Sequence, residues 1–190
     1  MLDWLWRAYD ATYRWYHRVE DLPGESVVRI NVAPHRGRTV ALGDGTVVRA
    51  GDLVGFIHFN NGRVRAIHER TRDPARAGIL MRRAFERSLE ILARLGEADP
   101  RYRTVKAFTA LTIFHQGAQR AGFEIFPPRS KLSAKIVAAY GRSLLTRFHP
   151  RGAERVRRAR FAEARVLWIS RAELFRRYAP ARSSPRETSS

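Results

Sequence analysis

The chain has 190 residues, 44% of them hydrophobic, with six histidines and no cysteine. That is apolar material for one sizeable core, and the missing thiols exclude disulfide frameworks, cysteine nucleophiles and iron–sulfur ligation while fitting a reducing, cytoplasmic setting. The formal charge of +18 is uneven: residues 1–100 carry 16 Lys/Arg against 13 Asp/Glu, and residues 101–190 carry 20 against 5.

Such a field draws polyanions, whether nucleic acid, acidic lipid or an anionic wall polymer, without telling them apart. Only Lys106, Lys131 and Lys135 are lysines, so a base composition favouring arginine codons is the competing source of the charge.

At the N-terminus Asp3 stands where a signal peptide needs positive charge, and no later run approaches the roughly 18 apolar residues of a membrane span. Residues 2–18 set Leu2, Leu5, Trp6, Tyr9, Tyr13 and Tyr16 at steps of three and four, which predicts an amphipathic first helix. Trp4 and Trp15 fall off that stripe, and both burial under a sheet and a membrane surface suit such a helix. After Pro23-Gly24 the period changes. Val27 to Val32, Thr39 to Leu42 and Thr46 to Val48 predict strands, and Gly43-Asp44-Gly45 predicts a tight antiparallel hairpin between the second and third. Leu53 to Phe59 is a further strand, ending in a turn at Asn60-Asn61-Gly62.

Asp73-Pro74 predicts a helix start and Leu95-Gly96 its stop, with Leu80, Ala84, Ser88, Ile91 and Leu95 as the buried face. Val105 to Phe114, a short helical piece to Ala121, and Gly122 to Phe126 read as strand, helix, strand, the unit that builds a parallel pair. Ser130 to Arg147 is helical, with Leu132, Ile136, Tyr140 and Leu144 every four residues as its inner stripe. Ala164 to Ile169 is a strand, and Ser170-Arg-Ala-Glu173 forms a capping box for a last helix ending near Tyr178. Residues 180–190 lack an apolar anchor and read as a disordered tail. The expectation is one α/β (α+β) domain over 1–179, with a mixed sheet, an N-terminal antiparallel hairpin region and about four principal helices.

No histidine pairs with another or with a carboxylate at metal-ligand spacing, so no metal and no cofactor is expected. No Gly-x-x-x-x-Gly-Lys, Gly-x-Gly-x-x-Gly or Gly-x-Ser-x-Gly occurs either. His58, Asn60 and Asn61 form a polar cluster at a strand end. Either His58 moves a proton while Asn60 positions a substrate, or His58 points outward and the asparagines shape the turn. Thr109, Thr112, His115 and Gln116 precede the short helix, where Thr112 and His115 face an anion at its N-terminus or Thr112 is an ordinary cap. Arg155, Arg157, Arg158 and Arg160, between Phe148 and Phe161, form either a phosphate-gripping surface or a solvated basic segment. They match no helix-turn-helix, RNP or zinc-finger pattern. Gln116 to Phe123 is similar to the helix end before a strand in GNAT-type acetyltransferases, but that family's pyrophosphate loop is not matched.

The order of features resembles the YkoP-like family of small bacterial proteins. The resemblance is carried by the aromatic opening helix, Leu42-Gly-Asp-Gly45 leading to Gly51-Asp52, Ile57-His58-Phe-Asn60, Thr112 before Gly122-Phe123-Glu124, and Trp168-Ile-Ser170-Arg171, and it spans about residues 1–179. It implies an association with polysaccharide deacetylases, beside or fused to them; the deacetylase's own Asp-Asp pair and His-x-x-x-His are absent, so the chain does not resemble the deacetylase itself. If His58 and Asn60 match the family's His-x-Asn, the resemblance makes them its site. The leading expectation is a non-catalytic accessory or binding domain for cell-envelope polysaccharide modification, with an anionic polymer or a polysaccharide-modifying enzyme as partner. The alternatives are a transferase acting on a sugar or acyl substrate with His58 as acid/base, and a non-specific nucleic-acid binder.

Overall fold

The computed structural model describes residues 19–71, 73–148 and 163–180. The predicted aromatic helix at 2–18, the run holding Arg155, Arg157, Arg158 and Arg160, and the predicted tail from residue 181 onward lie outside the described residues. In β2 (Val28–Pro34), Val28, Ile30 and Val32 alternate with Arg29, Asn31 and Ala33, the two-residue period that turns one strand face into a core. β2 lies between β1 (Glu20–Asp21) and β5 (Leu53–Phe59), antiparallel to both, with Ile30 opposite Ile57 and Arg29 opposite His58. β6 (Ala107–Thr112), β7 (Glu124–Phe126) and β8 (Arg165–Ser170) complete a six-stranded sheet of order β1-β2-β5-β6-β8-β7.

The predicted hairpin forms apart from this sheet, from β3 (Val40–Ala41) and β4 (Val47–Val48). Its turn needs one left-handed residue rather than two: Gly45 has φ +86° and donates its N–H to the Leu42 carbonyl at 3.0 Å. That is the geometry of a three-residue hairpin loop closed by a glycine bulge.

The sheet is mixed, but its parallel pair is not the predicted one. β5 and β6 are the parallel neighbours, whereas β6 and β7 both run antiparallel to β8, which lies between them. The segment between β6 and β7 holds only a single 3-10 turn at Ala118–Ala121, too small a crossover to cover a sheet face, and the gap it leaves accepts β8.

The helices are α1 (Asn61–Glu69), α2 (Pro74–Ala98), the single turn α3 (Pro100–Arg103), α4 (Lys131–Phe148) and α5 (Arg171–Tyr178). α1 was not expected. It buries no residue, so it carries little of the apolar periodicity on which a helix reading depends. α2 starts where predicted, with Asp73 Oδ1 accepting the Ala75 N–H at 3.0 Å, but runs through the predicted stop at Gly96. A Cβ on Gly96 would sit 2.7 Å from the Phe175 ring, so this glycine admits an aromatic ring from α5. Asp99 and Pro100 end the helix, Asp99 capping α3 by accepting the Arg101 N–H at 2.9 Å.

One sheet face packs Val28, Ile30, Ile57, Phe108 and Ile169 against Leu89, Leu92 and Ala93 of α2 and Leu174 of α5. The buried face of α2 is therefore rotated from the predicted one, with Leu80 and Ala84 only half-buried. Ser88 is buried in that face without an orphaned hydroxyl: its Oγ donates to the Ala84 carbonyl at 2.7 Å and accepts the Val27 N–H at 3.0 Å. On the other face the hairpin covers Val54, Ala107 and Trp168 through Val40, Leu42 and Val48.

α4 covers the far end of that second face, with Ala134, Val137 and Ala138 against Leu111, Ile113 and Ala164. This inverts the predicted stripe, because Leu132 is 70% and Ile136 55% exposed. The side chains of Tyr140 and Leu144 lie outside those described. The small residues face inward because a helix can approach a strand closely only through small side chains: a Cβ on Gly141 would lie 2.8 Å from Ile113.

Candidate functional site

The topology sends the polar residues singled out in the sequence to one end of the sheet. His58, Asn60 and Asn61 lie at the carboxyl end of β5, His58 still within the strand, and Thr112 and His115 at the carboxyl end of its parallel neighbour β6, which Thr112 closes; there the Phe59 and Phe114 rings meet at 6.0 Å. His58 Nε2 hydrogen-bonds Asn31 Oδ1 at 2.8 Å. Asn60 is buried and its amide is engaged at both ends: Oδ1 accepts the Arg63 N–H at 3.2 Å, capping α1, and Nδ2 donates to Asp21 Oδ1 at 2.8 Å. The same Asp21 oxygen takes the Nε of Arg29 at 2.7 Å, and Asn61 opens α1. Thr112 Oγ1 accepts the Phe114 N–H at 2.9 Å, and the 3-10 turn beyond it has Gly117 as N-cap with no side-chain cap. The His115 carbonyl accepts the Ala118 N–H at 3.2 Å.

An open cleft lies at the opposite end, where Ser170 aligns with Ala107, the first residue of β6, and Ala107 with Val54 of β5. From Val54 to His58 is about 13 Å along the strand. Three segments build a hollow of about 660 Å³: the hairpin tip at Gly43 and Asp44, the edge strand with Glu124 and Phe126, and the start of α5 with Ser170 and Glu173. They are the segments that carry the Gly-Asp-Gly, Gly-Phe-Glu and Trp-Ile-Ser-Arg features of the sequence.

Each wall is fixed by hydrogen bonds. Ser170 Oγ donates to Asp44 Oδ2 and accepts the Glu173 N–H at 2.8 Å, so one hydroxyl holds the hairpin and caps the helix. Glu124 Oε1 accepts the Gly43 N–H at 2.7 Å, tying the tip to the edge strand. Behind the tip, His35 meets the Trp168 ring edge-on at 5.4 Å.

The cleft is acidic in a basic chain: Asp44, Glu124 and Glu173 line it with Arg177, and Glu173 is paired with both Arg176 and Arg177. Burial pushes the Asp44 carboxyl up, but hydrogen bonds from Ser170 and Thr46 outweigh it and hold the group below its ordinary value. Glu173 is pulled down to about 2 by hydrogen bonds from Arg176 and then Arg177. Both carboxylates therefore stay ionised through the physiological range and act as acceptors. Among the described residues no group of three or more His, Asp or Glu side chains is placed to hold a metal ion, and no helix is long and apolar enough to cross a membrane.

Sequence reading passed over Asp44, Glu124, Ser170 and Glu173 as site residues, because each has a local explanation as turn, strand or cap. Their convergence depends on contacts such as that between Asp44 and Ser170, 126 residues apart.

A mixed-sheet α/β domain with an acidic, glycine-edged cleft is the class that this fold and site define. The family model for the YkoP domain matches residues 1–178, and the chain belongs to that family. The Bacillus subtilis (strain 168) protein named "Uncharacterized protein YkoP" is 25% identical over 126 residues, which are 65% of this chain and 69% of its own. No solved structure matches.

Proposed function

We propose that the chain is a non-catalytic binding module for a cell-envelope polysaccharide, and that the acidic cleft receives a sugar unit of it. The observation that carries this reading is the cleft's lining, in which Asp44 and Glu124 supply charged acceptors beside the arginine-paired Glu173, Gln119 a donor and acceptor, and Phe126 an aromatic surface. Sugar hydroxyls are donors that gain most from ionised acceptors, and their apolar faces pack on aromatic rings. The resemblance to a family associated with polysaccharide deacetylases supports the same substrate class. Carboxylates would further favour an unacetylated amino sugar, whose ammonium pairs with them, over its acetylated form.

The test is calorimetric titration with glucosamine oligosaccharides and N-acetylglucosamine oligosaccharides. Binding is expected for the first, weaker binding for the second, and a loss of about tenfold in Glu124→Gln, which keeps an oxygen for the Gly43 N–H but removes the charge. No binding of either oligosaccharide, or unchanged binding in the variant, would overturn the reading.

A further inference from the structure

A second hollow, of about 560 Å³, is lined by residues that neighbour the Asp44–Ser170 bridge in sequence, Thr46 on one side and Arg171 on the other, and its charged lining residues are basic. Arg49, Arg103, Lys106 and Arg171 line it together with Thr46 and Thr104. The carboxylate beside them is Asp52, which accepts the Arg49 N–H at 2.7 Å and pairs with Lys106 Nζ at 2.9 Å. Among the described residues neither Arg49 nor Arg103 makes an ion pair at contact distance, although the Arg49 N–H and, to a lesser degree, the Arg49 charge help hold the Asp52 carboxyl below its ordinary value. Arg171 is held by its Nη2 donating to the Gly96 carbonyl at 3.1 Å and by the Phe175 ring 4.2 Å from its Cζ. Four basic residues beside one carboxylate leave a surplus of positive charge, and the forked donors of Arg49 and Arg103 match tetrahedral oxyanions.

We propose that this hollow is an anion site that takes the phosphate group of a phosphate-bearing glycan whose sugar lies in the acidic cleft, an assignment that rests on the saccharide reading of that cleft. The two hollows are lined by residues adjacent in the chain. Thr46 follows Asp44 by two residues, Arg171 follows Ser170 directly, and an uncharged ligand would leave the basic hollow unused. A nucleic-acid ligand fits less well, because no aromatic side chain lines the basic hollow and bases would find nothing there to stack on.

The test is an amide shift titration of the full chain with inorganic phosphate, glucosamine, glucosamine 6-phosphate and a single-stranded DNA oligonucleotide at about 0.15 M salt, where exposed charges are screened beyond roughly 8 Å. Phosphate is expected to move the amides of Thr46, Thr104 and Lys106. Glucosamine 6-phosphate should bind about tenfold more tightly than glucosamine, and the Arg49→Ser, Arg103→Ser double variant should lose that excess while binding glucosamine unchanged. Both arginines are exposed, and thermal unfolding of the double variant confirms that it is folded. Failure of phosphate to move those amides overturns the anion site even where glucosamine still binds the cleft. Phosphate binding there without any response of the cleft to glucosamine overturns the saccharide reading and the shared ligand with it. DNA binding at the same amides more tightly than glucosamine 6-phosphate replaces the glycan with a nucleic acid.

Discussion

Ser170 and Asp44 are joined by a hydrogen bond across 126 residues of chain, and the Ser170 oxygen simultaneously accepts the Glu173 N–H at 2.8 Å. One hydroxyl therefore couples the hairpin tip to the start of α5. Both bridge residues line the acidic cleft, and their sequence neighbours Thr46 and Arg171 line the basic hollow.

Ser170→Ala is expected to lower stability by about 2 kcal/mol, combining the loss of an N-cap with the loss of a hydrogen bond to a carboxylate. Urea unfolding measures it. Asp44→Asn should cost less, because the cap at Glu173 survives. Equal costs for the two variants would mean that the hairpin contact, and not the cap, carries the effect.

Acid should destabilise the fold through the cleft. Glu173 falls from 4.5 to about 2 on folding, and Asp44 is also lowered. A depressed carboxylate contributes its stability above the unfolded pKa and loses it as pH falls through the folded one. The contribution of Glu173 is thus complete above about 4.5 and fades toward 2. Glu173→Gln should flatten the thermal midpoint against pH in that window and leave the profile above pH 6 parallel to that of the original chain. An unchanged slope would place the acid sensitivity in other carboxylates.

The strands from β2 onward, the start of α2 and the cap of α5 were legible in the sequence because each has a local cause: alternation, an Asp-Pro pair, a Ser with Glu three residues on; the two-residue β1 at Glu20–Asp21 was not read. What was not legible depended on tertiary contact. Gly96 looks like a helix stop until the Phe175 ring is found against it, and β8 enters between β6 and β7 for reasons that neither strand contains. The capping box is half-formed for the same reason: Ser170 caps Glu173, but the Glu173 carboxylate turns to Arg176 and Arg177. The cleft was hidden because each of its acids had a sufficient local role.

The inverted stripe of α4 makes a sharp comparison. Leu132→Ser and Ile136→Ser remove side chains that are 70% and 55% exposed, so each should change stability by no more than about 0.5 kcal/mol. Val137 packs in the cluster with Ile113 and Ala138, and Val137→Ser should cost about 1 kcal/mol or more. The reverse order, read from chemical denaturation, would restore the stripe that the four-residue spacing predicts.

Gly122→Ala connects the backbone to the electrostatics of the cleft. Gly122 has φ +90°, where an alanine costs about 1 kcal/mol or more, and its Cβ would lie 2.7 Å from Arg177 Nε and 2.8 Å from Cδ. Arg177 must then swing away, losing its bond to Glu173 and its 3.1 Å bond to the Arg120 carbonyl, while Arg176 stays on Glu173 at 2.7 Å. With one of two guanidinium donors gone, the Glu173 pKa should rise from about 2 toward 4.5. A smaller depression means less stability at neutral pH and a loss that begins and ends within a narrower acid range. Gly45→Ala supplies the control, since Gly45 has φ +86° but nothing within 4 Å of its Cβ, so it carries the backbone strain alone. Carboxyl shifts followed by NMR through the acid range should move Glu173 in the first variant and not in the second. If Glu173 titrates alike in both, Arg176 alone sets its charge and Arg177 is free to turn toward a ligand in the cleft.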